Sequence, residues 1–156
     1  MGLRQETRRQ PSLEIYLVNG CIRRLTDPLR RLFIFKLMIT NKSDAANSLK
    51  DLQLVVHYKG KQGSPGNVTI SHNPRLGTGL PEPQEDPLPI PCGIPAREVV
   101  GGVAIFGAPE ELLQDFRIES YTLTALDSFG NHAEREAILL QEILDAPMDK
   151  RHNSAK

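Results

Sequence analysis

The sequence predicts an all-β fold, an antiparallel sandwich of seven or eight strands with one short helical turn near 109–115. Three observations carry that prediction. β-prone segments bounded by turn residues recur along the chain, several with the period-two alternation of half-buried strands. A helical signal is confined to Pro109-Glu110-Glu111-Leu112-Leu113-Gln114, with proline first and acids in the first turn. The 156 residues suit one domain with a sizeable core, and no apolar run approaches the roughly 20 residues of a membrane helix.

Each element follows from local pattern. Leu13-Glu14-Ile15-Tyr16-Leu17-Val18 opens the domain, and Cys21-Ile22-Arg23 is expected to continue it past a turn or bulge at Asn19-Gly20. Residues 31–40 are almost continuously apolar, as a central core strand should be. After a turn-rich break, residues 49–59 place Leu52, Leu54, Val56 and Tyr58 on one face, and Val55 and His57 on the other. Asn67-Val68-Thr69-Ile70-Ser71 is a short β-prone segment.

Residues 73–95 hold seven of the twelve prolines, and proline has no donor for a central ladder. A long irregular connection or an edge segment is expected there, and long loops are often functional. Strand signal returns over residues 99–106, where Gly101-Gly102 marks a bulge or a close approach rather than a phosphate loop, because no phosphate-loop lysine follows. Residues 116–126 alternate clearly, Asp127-Ser128-Phe129-Gly130-Asn131 is a turn, and residues 132–143 form a partner strand carrying Glu134, Glu136, Ile138 and Leu140. Residues 1–11 are a polar N-terminal segment, 12–144 the single domain and 145–156 a flexible tail. With no Trp and only eight aromatic residues, the core is expected to be aliphatic.

The stretch 121–131, an alternating strand running into Asp127-Ser128-Phe129-Gly130-Asn131, resembles the final hairpin of bacterial immunoglobulin-like and fibronectin-type-III-like domains. Residues 32–40 followed by Asn41-Lys42-Ser43 are similar to a strand–turn pattern of extracytoplasmic immunoglobulin-like sandwiches, and with residues 96–106 the likeness covers roughly 13–143. The resemblance implies an immunoglobulin-like sandwich that binds or presents, often within an envelope or surface protein. It brings no catalytic residues.

Chemistry-bearing residues are sparse. His57, His72, His132 and His152 are too scattered for a linear metal motif, and no Cys-x-x-Cys pair exists, so no metal or cofactor is expected. Cys21 and Cys92 are read as free or merely packed thiols. Asp127 and Asn131 could offer oxygens to calcium, but a turn of this kind uses the same atoms to cap its own backbone. No Gly-x-Ser-x-Gly elbow occurs, so no enzyme is expected. Glu134 and Glu136 share a strand face, either as a carboxylate pair or as a solvated surface. Asn41-Lys42-Ser43 and Asn67-Val68-Thr69 match glycosylation acceptors, a triplet that arises often by chance.

Nineteen basic and nineteen acidic side chains give a net charge of zero, which argues against a dedicated nucleic-acid binder. That balance conceals two opposed blocks. Residues 1–81 hold 13 basic and 5 acidic side chains, whereas residues 82–145 hold 3 basic and 13 acidic. The blocks either pair across the fold or segregate into charged faces, and in the second case Arg23, Arg24, Arg30 and Arg31 are the candidate partner-binding residues. The function read from these features is a non-catalytic protein-interaction or assembly module. A small-ligand or carbohydrate-binding accessory domain is the alternative. The expected partner is a protein or a second copy of the chain, with no nucleic acid, and a membrane reached only through a segment absent from this chain. Without an apolar segment behind Arg4, Arg8 and Arg9, no secretory signal is read. The cytoplasm is therefore expected, or the periplasm or cell envelope if a signal or anchor was trimmed.

Overall fold

Alternation along the strands builds nine of them among the residues that the computed structural model describes, 12–26, 29–79, 86–137 and 141–143. They are β1 (Leu13–Thr26), β2 (Leu29–Asn41), β3 (Asn47–Lys59), β4 (Pro65–Ser71), β5 (Cys92–Ile94), β6 (Val99–Pro109), β7 (Arg117–Asp127), β8 (His132–Ala137) and β9 (Gln141–Ile143). A 3-10 turn spans Pro74–Gly79, and the helical turn is α1 (Glu110–Leu113). The segments 1–11 and 145–156 lie outside the described residues. One sheet runs β6-β2-β1-β9 and the other β4-β3-β7-β8, with β5 also pairing β3. Pairings between these strands are antiparallel except β1 with β9, and neither sheet closes into a barrel.

The near-continuous apolar run of β2 has a structural cause: the strand is buried on both faces. Phe33, Phe35, Leu37 and Ile39 point between the sheets, against Leu52, Leu54 and Val56 of β3 and Leu123 of β7. Leu32 and Ile34 point outward and form a second cluster with Val103 and Ile105, covered by Leu25, Cys21 and Leu76. The core is less aliphatic than expected. Phe35 meets Phe106 edge-on with ring centroids 6.0 Å apart, and Phe33 meets Tyr121 at 5.5 Å. Few aromatics are present, but four of them converge where both sheets face inward.

The end of the domain differs from expectation. The strand after the hairpin ends at Ala137 rather than 143, and the chain then adds Gln141–Ile143 to the opposite sheet, in register with Cys21, Ile22 and Arg23. Ile138 and Leu140 lie outside the described residues. Like β5, β9 is three residues long, too short for periodicity to reveal.

The Pro-rich segment is built into the fold. β6 would otherwise present a bare edge, a liability that folds commonly cover. Val103 donates to the Asp86 carbonyl (3.1 Å) and accepts from Leu88 N–H (2.9 Å), while Ile105 accepts from Asn73 N–H (2.9 Å). Leu88, 1% exposed, lies so close to β6 that a Cβ on Gly102 would stand 3.0 Å from both its Cγ and the Asp86 carbonyl. The β2–β6 register is unbroken there, so Gly102 marks a close approach and not a bulge.

Arg97 is the one described non-glycine residue with left-handed backbone (φ 64°). Its ion pair with Asp44 is exposed on both sides and contributes little. Arg97→Gly is therefore expected to raise stability by roughly 0.5 kcal/mol, the relief of a left-handed side chain less the added chain entropy. Urea denaturation checks this, and a loss of stability would show that the ion pair matters more than the backbone.

Candidate functional site

Among the described residues, the outer face of the four-stranded sheet is partly covered, but that of the β4-β3-β7-β8 sheet is open and polar. Register brings Asn67 of β4 beside His57 of β3, His57 beside Ser120 of β7, and Thr122 of β7 beside Glu136 of β8. Glu134 follows two residues earlier, opposite Thr124, so alternation puts both glutamates on this face. A register shift adds one side chain. His57 pairs with Ser120 but Tyr58 pairs with Ile118, leaving Glu119 as the extra residue of a β-bulge. The bulge keeps Ile118 packed against the core and turns Glu119 out with Ser120.

These side chains line a shallow groove of about 760 Å³, bounded at one end by Tyr58 and Lys59. The Tyr58 ring stacks on Phe116 (3.8 Å, 5°) and lies over Gly66, where a Cβ would come within 2.7 Å of the Tyr58 Oη. Glycine at 66 is thus what allows β4 to pass beneath the ring. His57 Nε2 lies 3.0 Å from Thr122 Oγ1. Glu119, Glu134 and Glu136 are exposed carboxylates that accept hydrogen bonds and donate none. Acceptors therefore outnumber donors in the groove.

The arginines singled out in the sequence sit at the far end of the β1–β2 hairpin. Arg31 is buried and holds Glu110 with both arms of its guanidinium, one bond being Nε to Oε1 at 3.1 Å. Arg24 Nη1 reaches Oε2 of the same carboxylate at 3.3 Å. Arg23 is 3% exposed, and Arg30 is half-buried. The basic and acidic blocks thus meet in a buried cluster here, and again at the surface in Lys61–Asp115. The Arg31 hydrogen bonds hold the Glu110 carboxyl below its ordinary pKa, against burial, with the positive charges of Arg31 and Arg24 adding to the effect.

Other expected sites resolve into turns. Asp127 Oδ1 accepts from the N–H groups of Phe129 (2.8 Å) and Asn131 (2.9 Å), and Oδ2 accepts from the Asn47 amide (3.1 Å). Its oxygens cap the hairpin. Asn41 is fully buried, donating to the carbonyls of Ala45, Ile94 and Pro95 and accepting from Ser43, so only Asn67 of the two glycosylation triplets is exposed. Cys21 and Cys92 are half-buried and form no disulfide. Among the described residues no group of three His, Cys, Asp or Glu side chains is placed to hold a metal.

No family model matches the chain, and no curated protein sequence matches it. Three solved structures show a similar chain course. A Northeast Structural Genomics Consortium target, SoR45, is 11% identical with a TM-score of 0.37, covering 81% of this chain and 80% of that one. A Bordetella pertussis protein described as ApaA is 10% identical with a TM-score of 0.39, covering 85% and 96%. Pseudomonas fluorescens AlkC, an alkylpurine DNA glycosylase bound to DNA containing an abasic-site analogue, is 8% identical with a TM-score of 0.43. That likeness covers 86% of this chain but only 30% of AlkC. At such scores the likenesses carry neither activity nor ligand across to this chain. A DNA-bound structure thus stands among the similar chains where the sequence reading expected no nucleic acid, and nothing in the described fold or the comparisons supports the expected protein partner.

Proposed function

We propose that this chain is a non-catalytic accessory domain on an immunoglobulin-like framework, and that it binds a small polar ligand in the groove on the outer face of the β4-β3-β7-β8 sheet. One observation carries the reading: an uncovered groove of about 760 Å³ whose lining accepts more hydrogen bonds than it donates. The complementary ligand is rich in donors, with amine and hydroxyl groups facing Glu119, Glu134 and Glu136. A flat neutral sugar fits less well, since Tyr58, the one phenyl-type ring in the lining, already stacks on Phe116.

Calorimetric titration with spermidine, glucosamine and glucose tests this directly. Spermidine is expected to bind most tightly, glucosamine more weakly and glucose least, with affinity falling as salt is raised. Absence of heat from both amines at millimolar concentration, or equal binding of glucose, would rule the reading out.

A further inference from the structure

We propose that His72 is an acid-sensitive latch, and that a second proton on its ring frees residues 86–91 from the edge of β6. The ring is buried where β4 ends, 7% exposed, and ties two elements together. Nδ1 accepts from the Ile105 N–H of β6 at 2.9 Å. Nε2 donates to the Leu88 carbonyl of the Pro-rich segment at 2.8 Å. Only a neutral ring with its proton on Nε2 makes both bonds.

A ring with two protons has no acceptor left for the Ile105 N–H. The nearest carbonyl to Nδ1 is that of Ile105 itself at 3.3 Å, and it already takes the Asn73 N–H at 2.9 Å. Among the described residues, the groups facing the ring are the Ile105 amide and the Phe106 ring of β6 (centroids 5.9 Å apart) and the Leu88 carbonyl; the His72 N–H itself is held by the Leu52 carbonyl of β3. None of them titrates, and none is a carboxylate that would compensate a cation. The segment is otherwise held by two backbone bonds between β6 and residues 86 and 88, by Leu88 buried in the core against Gly102, and by Ile90 packed on that core. Loosening the latch uncovers the Val103 and Ile105 edge and opens that side of the core, a local event that leaves the opposite sheet intact. The latch does not depend on the groove.

Amide exchange by NMR, corrected for the intrinsic effect of pH, reads the latch residue by residue. On acidification from about pH 7.5 to about pH 5.5, protection at Leu88, Val103 and Ile105 is expected to fall about tenfold, the scale of one lost hydrogen bond. Leu54 and Leu123 should keep theirs. His72→Gln should abolish the pH dependence whatever its starting protection. Should that variant not fold, the ring nitrogen shifts of the wild type must move to the doubly protonated pattern in step with the loss of protection. Flat protection at the three amides, an equal fall in His72→Gln, a parallel fall at Leu54 and Leu123, or ring shifts out of step would each overturn the proposal.

Discussion

Glu110→Ala is expected to destabilise the fold by about 3–5 kcal/mol, because it leaves the Arg31 guanidinium buried without its anion. The two residues lie 79 positions apart and tie the β1–β2 hairpin to the turn between β6 and β7. Removing both charges together should cost far less. Arg31→Met with Glu110→Leu is expected to stay within about 2 kcal/mol of the wild type, since an apolar pair of similar volume needs no desolvation. Denaturant titration of the single and double variants separates the two cases. Equal losses would mean that the charges themselves, not the orphaning of one, hold the hairpin.

The same pair fixes a pH dependence with a definite sign. Arg31 lowers the Glu110 pKa in the folded chain, so the unfolded chain binds a proton there more readily. The stabilisation is fully present above the usual carboxylate range, about pH 4.3, and is lost as pH falls through the lower folded value. Wild type and Glu110→Gln should therefore differ by a constant amount near neutrality and converge in acid. A gap that widened on acidification would contradict this account.

Asp127→Ala is the second large effect, expected at about 2–4 kcal/mol. One carboxylate satisfies two turn N–H groups and the buried Asn47 amide, and losing it leaves all three without that acceptor. Asn47 in turn accepts from the backbone of Ser48 and the hydroxyl of Ser128, so the damage spreads from the hairpin to the start of β3. Asp127→Asn keeps one acceptor oxygen and should recover roughly half of the loss. Thermal unfolding without calcium distinguishes the capping role from a metal role, because a capping aspartate stabilises whether or not the ion is added.

What the sequence made legible was what depends on neighbours in the chain. The faces of β3, the hairpin turn and the helical turn at Glu110 follow from period and turn chemistry, and the structure contains each of them; the bulge in β1 falls at Val18, just before the expected Asn19-Gly20. Features set by distant partners were not legible. Glu119 reaches the groove only through a register slip against β3, which β7 does not announce on its own. His72 finds its partners 16 and 33 residues away, and Arg31 its carboxylate 79 away. Spacing does not report burial, so from the sequence the arginine pairs could either meet acids across the fold or form a charged face. Glu134 and Glu136 were visible as a same-face pair, but their three neighbours across β7, β3 and β4 belong to tertiary pairing.

The central claim is that the groove on the β4-β3-β7-β8 sheet is where this domain binds its ligand. Amide-shift mapping with spermidine tests it most directly, on the wild type and on Glu119→Gln/Glu136→Gln. The expected shifts concentrate at Asn67, Ser120, Thr122 and Glu134, and the double variant should weaken binding at least about tenfold through the loss of two charged acceptors. Shifts that cluster elsewhere, or unchanged affinity in the double variant, would contradict the claim.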